Sequence, residues 1–189
     1  DLMAYLLTEP PVMQIYHEAA KPPVRSRAEI DSVLAGAPPA VEARPLNLLL
    51  VSGKKDHGMG EHDYPRWRIV WSRLFTLAAG TSVDLAEEWP SAAQWQAADA
   101  VVFFRRGDWS DERAKDFDAF LARGGGATFI HWSLEAGREA PGLAMRLGLA
   151  SNRAQTKFRH GPVDLVFDQA MRHPIARGFE KATFVDEAY

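Results

Sequence analysis

Leu46-Asn47-Leu48-Leu49-Leu50-Val51-Ser52-Gly53 is an apolar run that stops at a small polar residue and a glycine. A strand with one wet face alternates apolar with polar residues; one that does not alternate is covered on both faces, which is the condition of a parallel sheet. Two later segments repeat the form. Ala100-Val101-Val102-Phe103-Phe104 runs into Arg105-Arg106-Gly107-Asp108, and Gly124-Gly125-Gly126-Ala127-Thr128-Phe129-Ile130 runs into His131-Trp132-Ser133, with the strand expected over residues 127–130. Residues 81–85 make a shorter strand. Amphipathic stretches separate them. Pro65 suits a first helical position, and Trp67, Val70, Trp71, Leu74 and Ala78 form one apolar stripe ended by Gly80, so both tryptophans read as core. A helical patch surrounds residues 94–97. Ser110 can cap a further helix whose Asp111 and Glu112 suit its dipole, whose Ala114, Phe117, Phe120 and Leu121 face inward, and which Gly124 closes. Strands alternating with such helices predict an α/β fold: three layers, α/β/α, around a mostly parallel central sheet.

Right-handed crossovers put the loops that follow the strands on one rim, where open α/β sheets bind ligands. These loops are residues 53–64, 105–109 and 131–137. The first holds His57 and His62 with Asp56, Glu61 and Asp63, a density that suits metal ligation or acid-base work, although the spacing matches no standard zinc motif. The competing reading is a solvated polar loop in which Asp63 assists the helix start. His131 ends an apolar strand and is aimed at the crevice; its alternative is a partly buried imidazole donating to a backbone carbonyl. Glu135 either caps the next segment or enters the pocket. Arg105 and Arg106 end a buried strand on the same rim, and Trp109 and Trp132 either stack on a sugar ring or roof the pocket. Lys157, Arg159 and His160 begin a strand or hairpin over residues 158–167, where they gather positive charge toward an anionic or polyhydroxylated substrate or simply face water.

The chain has 189 residues, 47% of them apolar, enough for one full domain with a core. There is no cysteine. A thiolate acyl-enzyme, an iron-sulfur cluster and a haem attached through cysteines are therefore excluded within this stretch, and there is no haem site in it. A net charge of −3 without any basic run argues against a nucleic-acid partner. No apolar stretch has the length of a transmembrane segment. Residues 1–9 read as the tail of a preceding helical domain, residues 10–45 as a Pro- and Ala-rich linker with one helical candidate at 28–34, and residues 46–189 as the domain proper. Phe184-Val185-Asp186-Glu187 reads as one more strand entering the sheet. Because the sequence lacks an initiator Met, it is expected to be a piece of a longer chain, and its compartment is not legible.

The 48–52 strand with its Gly-Lys-Lys-Asp-His-Gly-Met-Gly-Glu-His-Asp-Tyr-Pro loop, the triple glycine before Ile130-His131, His173-Pro174-Ile175-Ala176-Arg177-Gly178 and Phe184-Val185-Asp186-Glu187 together resemble the ThuA-like family, named for trehalose utilisation. The resemblance implies a flavodoxin-like, class I glutamine amidotransferase-like fold in which His131 stands where the amidotransferase cysteine would be, so that cysteine-dependent amidotransfer is excluded. It also implies carbohydrate metabolism: lyase, isomerase or hydrolase chemistry on 3-keto-glycosides. In that expectation His131 is the leading base or metal ligand, His57, Glu187 and Asp186 are its catalytic partners, and Lys157 or Arg159 is an electrostatic stabiliser. Asp56, His62, Arg106, Trp132, Lys157, Arg159 and His160 contact the sugar. His57, His131 and Glu187 are the candidate ligands of a divalent metal, zinc being favoured, and are expected to face one cleft. The alternative is a non-catalytic carbohydrate-binding or docking module. Similar domains continue for several strands beyond the Asp-Glu segment, so the domain is expected to be incomplete at that end. Residues 1–7 resemble the last helix of a c-type cytochrome domain, which implies a larger haem-containing parent with that domain as neighbour, periplasmic or exported.

Overall fold

The computed structural model describes residues 26–35, 44–58, 61–167 and 181–189. The expected helix tail at residues 1–9, most of the linker, and the His173-Pro174-Ile175 turn lie outside them. In chain order the elements are α1 (Arg27–Ala35), β1 (Leu46–Ser52), α2 (Tyr64–Phe75), β2 (Thr81–Glu87), α3 (Ala92–Ala97), β3 (Ala100–Phe104), α4 (Asp111–Ala122), β4 (Gly126–Phe129), α5 (Ala140–Leu147), β5 (Arg159–Val166) and β6 (Lys181–Ala188), with 3₁₀ turns at His131–Leu134 and Gly137–Glu139. They divide between two compact units, Arg44–Thr156 and Asp1–Ala43 with Lys157–Tyr189.

In the first unit four parallel strands are ordered β2-β1-β3-β4. The non-alternating runs account for this. Leu48, Leu49, Leu50 and Val51 are all buried, as only a central strand covered on both faces allows. Residues of one parity, Leu49, Val51, Val101 and Phe103, join Trp95 of α3 and Phe117 and Phe120 of α4 in one core cluster. Phe104, of the other parity, packs edge-on against Tyr64 and Trp67 of α2, at 4.8 and 5.3 Å between ring centroids. The helices thus cover opposite faces, giving the three layers. Phe103 and Phe117 are essentially inaccessible, each stabilising the fold by about 1.5–3 kcal/mol. Phe129 closes that core from β4, stacked on Phe103 at 4.6 Å and edge-on to Phe117 at 5.6 Å.

Local signals start the helices as their sequences predict. Asp63 accepts from the Arg66 N–H ahead of α2 with Pro65 in the first turn, Ser110 accepts from the Arg113 N–H ahead of α4, and Ser91 with Gln94 forms a capping box on α3. Three details depart from the sequence reading. First, α2 ends at Phe75 rather than continuing to Ala79, because Thr76 caps it. Its buried face is Tyr64, Trp67 and Val70, which leaves Trp71 38% exposed rather than in the core. Second, β4 stops at Phe129, one residue before the expected end, so that Ile130 donates to the Phe103 carbonyl and His131 opens a 3₁₀ turn.

The third departure concerns the second unit, where Phe184 and Val185 do not enter the parallel sheet. They pair antiparallel with Val163 and Pro162 in a separate two-stranded sheet of β5 and β6. Lys181 pairs with Asp164 at 3.0 Å across those strands, and His160 lies 3.4 Å from Glu187, so side-chain contacts support the register set by the backbone bonds. No described helix is long and apolar enough to cross a membrane.

Candidate functional site

The order β2-β1-β3-β4 places a topological switch between β1 and β3: the chain leaves β1 toward α2 on one face and β3 toward α4 on the other. The loops part there and open a crevice at the carboxyl ends of the strands. Three loops line it.

After β1, the polar loop divides its carboxylates among three tasks. Asp63 caps α2. Glu61 accepts from the Gly58 N–H at 2.9 Å and folds the loop on itself, helped by Lys55 Nζ, which donates to the Gly58 and Glu61 carbonyls. Asp56 is left to serve the histidines. Its Oδ1 lies 2.8 Å from Nδ1 of His57 and 3.1 Å from Nδ1 of His62. The two rings lie 3.9 Å apart. The ligand atoms of Asp56, His57 and His62 fall within 4.8 Å of one another, a group that could hold a metal ion. A carboxylate and two imidazoles suit zinc or another first-row divalent ion.

After β4, His131 brings its Nε2 to 3.0 Å from Nε2 of His62. Asp56 accepts from Nδ1 of His62, so that nitrogen carries the proton and Nε2 of His62 is the acceptor for the N–H of His131. Burial, then the neighbouring His57 and His131, lower the His62 pKa below the ordinary 6.5, outweighing Asp56, and keep this ring neutral. Tyr64, whose hydroxyl is 3.0 Å from Nδ1 of His62, is held protonated by its own burial and by Asp56. Trp132 meets His57 and His62 edge-on at 4.9 and 5.1 Å and walls the cluster on one side.

After β3, the two adjacent arginines separate. Arg105 is buried, paired with Glu88 at 2.6 Å and Asp108 at 3.3 Å. Burial opposes ionisation of Glu88, but the Arg105 hydrogen bond, the Lys54 N–H and the charges of both residues hold its pKa below the usual carboxylate range. This pair is a strut. Arg106 is exposed and sits over the Trp132 ring, 5.4 Å from its centroid. Ser133 ties the loops together from within: its Oγ accepts from Arg105 N–H at 2.9 Å and reaches the carbonyls of Phe103 and Arg105 at 3.1 and 3.0 Å. Glu135 takes the capping role, accepting from Gly137 and Arg153 N–H groups and from Ser151 Oγ. Trp109 packs edge-on to Phe117 at 5.7 Å and covers the core.

Among described residues, the only non-glycines at positive φ are His62 (42°), Glu88 (63°) and His131 (52°). All three stand on this rim. Side chains adopt that region at a cost of order 1 kcal/mol, and such positions cluster at functional sites.

The structure thus unites Asp56, His57, His62, His131, Arg106 and Trp132. Asp186, Glu187, Lys157, Arg159 and His160 belong to the other unit, where Arg159 donates to the Pro162 carbonyl and His160 pairs with Glu187. Tyr64 and Ser133 escaped the sequence reading. Tyr64 could have been found from its position two residues beyond His62; nothing local marks Ser133, whose partners lie 28 and 30 residues away.

No protein-family model matches the sequence, nor does any curated protein. Among solved structures, a ThuA-like protein from Bacteroides uniformis ATCC 8492 is similar with a TM-score of 0.56 at 13% identity, over 80% of this chain and 62% of that one. The chain therefore spans about three-fifths of that neighbour's length, and the likeness shows a shared fold.

Proposed function

We propose that this chain carries a ThuA-like domain that processes keto-sugars by acid-base chemistry, with His62 and His131 as a proton-sharing pair. The observation that supports it is the contact between their Nε2 atoms at 3.0 Å, backed by Asp56 on Nδ1 of His62. A ketone at the third sugar carbon acidifies the adjacent C–H. His131 takes that proton, the electrons pass into the carbonyl oxygen as an enolate, and collapse of the enolate expels the glycosidic oxygen, which recovers a proton from the imidazolium. One positive charge resides on the pair meanwhile, and the Asp56 carboxylate, aligned with His62, stabilises it. Asp56, His57 and His62 would hold a divalent ion only in an alternative state of the cluster, because ligation would take the His62 nitrogen that otherwise bonds Asp56 or His131; its contribution there would be to polarise the ketone. Glu187, with Asp186, is assigned the partner carboxylate by resemblance alone.

Incubation with a 3-keto-glucoside, with and without zinc or manganese, tests this. Release of the aglycone is expected, falling by about 10²–10⁴-fold in His131→Gln and in His62→Gln. Unchanged turnover in His131→Gln overturns the assignment, and sugar binding without turnover favours the docking module. Elemental analysis should find about one metal equivalent, lost in His57→Ala and His62→Ala. Retention of the ion in both variants would remove this set as the ligands.

A further inference from the structure

Beside the histidine cluster a cavity of about 260 Å³ is lined by Arg106, Asp108, Trp109, Trp132, Glu135 and Arg153, among others. Small-molecule pockets run from about 300 Å³ upward, so this one has room for a single sugar ring rather than a chain. Its two carboxylates match its two guanidiniums in number but are engaged elsewhere. Asp108 pairs with Arg105 and Arg113, and both oxygens of Glu135 accept bonds from backbone or hydroxyl donors. Arg106 and Arg153 have no carboxylate partner among the described residues. Each lies over the Trp132 indole, at 5.4 and 5.7 Å from its centroid. A guanidinium over a ring engages through its charge and leaves its N–H edge to bind something else. That same indole touches His57 and His62.

We propose that Arg106 and Arg153 grip the anionic group of a sugar, a carboxylate or a phosphate, whose reacting carbons then reach the histidines past the edge of Trp132. That the ligand is a sugar rests on the function proposed above; that it is anionic rests on the two guanidiniums that meet no carboxylate among the described residues. A fork of N–H donors matches the paired oxygens of a carboxylate or phosphate, and the hydroxyls of a neutral sugar accept the same bonds without the charge that strengthens them.

The test is calorimetric titration of the chain with glucose, glucuronate, glucose 6-phosphate and inorganic phosphate, at low salt and at roughly 0.5 M salt. At least one anionic sugar should bind about tenfold or more tightly than glucose. That preference should weaken with salt and disappear in the Arg106→Gln/Arg153→Gln double variant. Both arginines are exposed, so the double variant should melt as the parent does. Comparison of glucuronate with glucose 6-phosphate tells carboxylate from phosphate. Equal affinity for glucose and both anionic sugars overturns the proposal, as does a preference that survives the double substitution. So does inorganic phosphate binding equally to parent and variant. His131→Gln should keep the anion preference while losing turnover, so failure of the acid-base chemistry and failure of the anion site give different results.

Discussion

Gly107→Ala should disable the rim without touching a histidine. A Cβ built on Gly107 would lie 1.8 Å from the Glu135 carbonyl oxygen, 2.6 Å from its carbon and 2.7 Å from the Trp132 carbonyl oxygen. All three atoms are backbone, so no rotamer change relieves the contact, and the loop after β3 must move by more than an ångström from the turn that carries His131 and Trp132. Overpacking of this kind costs about 1–3 kcal/mol, and the rigid neighbours put this case near 3. For a chain of this length that lowers Tm by roughly 6–12 °C. Gly126→Ala is the control, since its Cβ would meet only the Ala100 Cβ at 3.9 Å, an ordinary contact. Calorimetry on both variants, with imidazole NMR to follow the contact of His62 with His131, supplies the readout. A misplacement of about 1 Å also costs on the order of 10²-fold in turnover. Should the two variants melt within about a degree of each other and keep the same imidazole spectrum, the close approach at Gly107 would not position the site.

The histidine cluster makes its own predictions. In the metal-free chain His62 should titrate below 6.5 by NMR; because the folded form then binds fewer protons than the unfolded one, its contribution to stability is lost as pH falls from 6.5 through the lowered value, and Tm should drop across that interval. Asp56→Asn removes the partner that opposes the shift, so His62 should titrate lower still; an unchanged or raised value would show that Asp56 does not hold this ring. Ser133→Ala should cost about 1–3 kcal/mol in urea unfolding, because it strands the buried Arg105 N–H; a smaller loss would mean that the strand end is held by other contacts.

Legibility in the sequence followed the range of the interaction. The sheet could be read because burial on both faces writes itself into contiguous residues: Leu48 to Val51 and Val101 to Phe104 need no distant partner to declare themselves. Helix starts at Asp63 and Ser110 could be read for the same reason, since a cap and its N–H are three residues apart; the Ser91 capping box lies as close to its helix but escaped the sequence reading. The end of α2 could not. Its apolar stripe runs on in sequence past Phe75, and only the position of the sheet decides that Tyr64, Trp67 and Val70 face inward while Trp71 does not.

The site is the extreme of this contrast, because its residue types were visible and their pairing was not. His62 was placed among the sugar contacts and His57 among the ligands, yet His62 is the ring that Asp56, Tyr64 and His131 all address, the last from 69 residues away. A positive φ at His62 and at His131 is not encoded by either residue, for each would relax to a helical or extended conformation in isolation. Something must hold them there. The candidates are named by the contacts: the Asp56 carboxylate for one ring, Ser133 and the Phe103 carbonyl for the turn that carries the other, and the Arg105 to Glu88 strut beneath both loops. The Asp56 contact is made within one loop, but the other two join the end of one strand to the end or loop of another, so the parallel sheet, by aligning its carboxyl ends, is what makes a cluster of left-handed histidines affordable. A fold whose strands ended on opposite rims would keep the same residues and lose the pair.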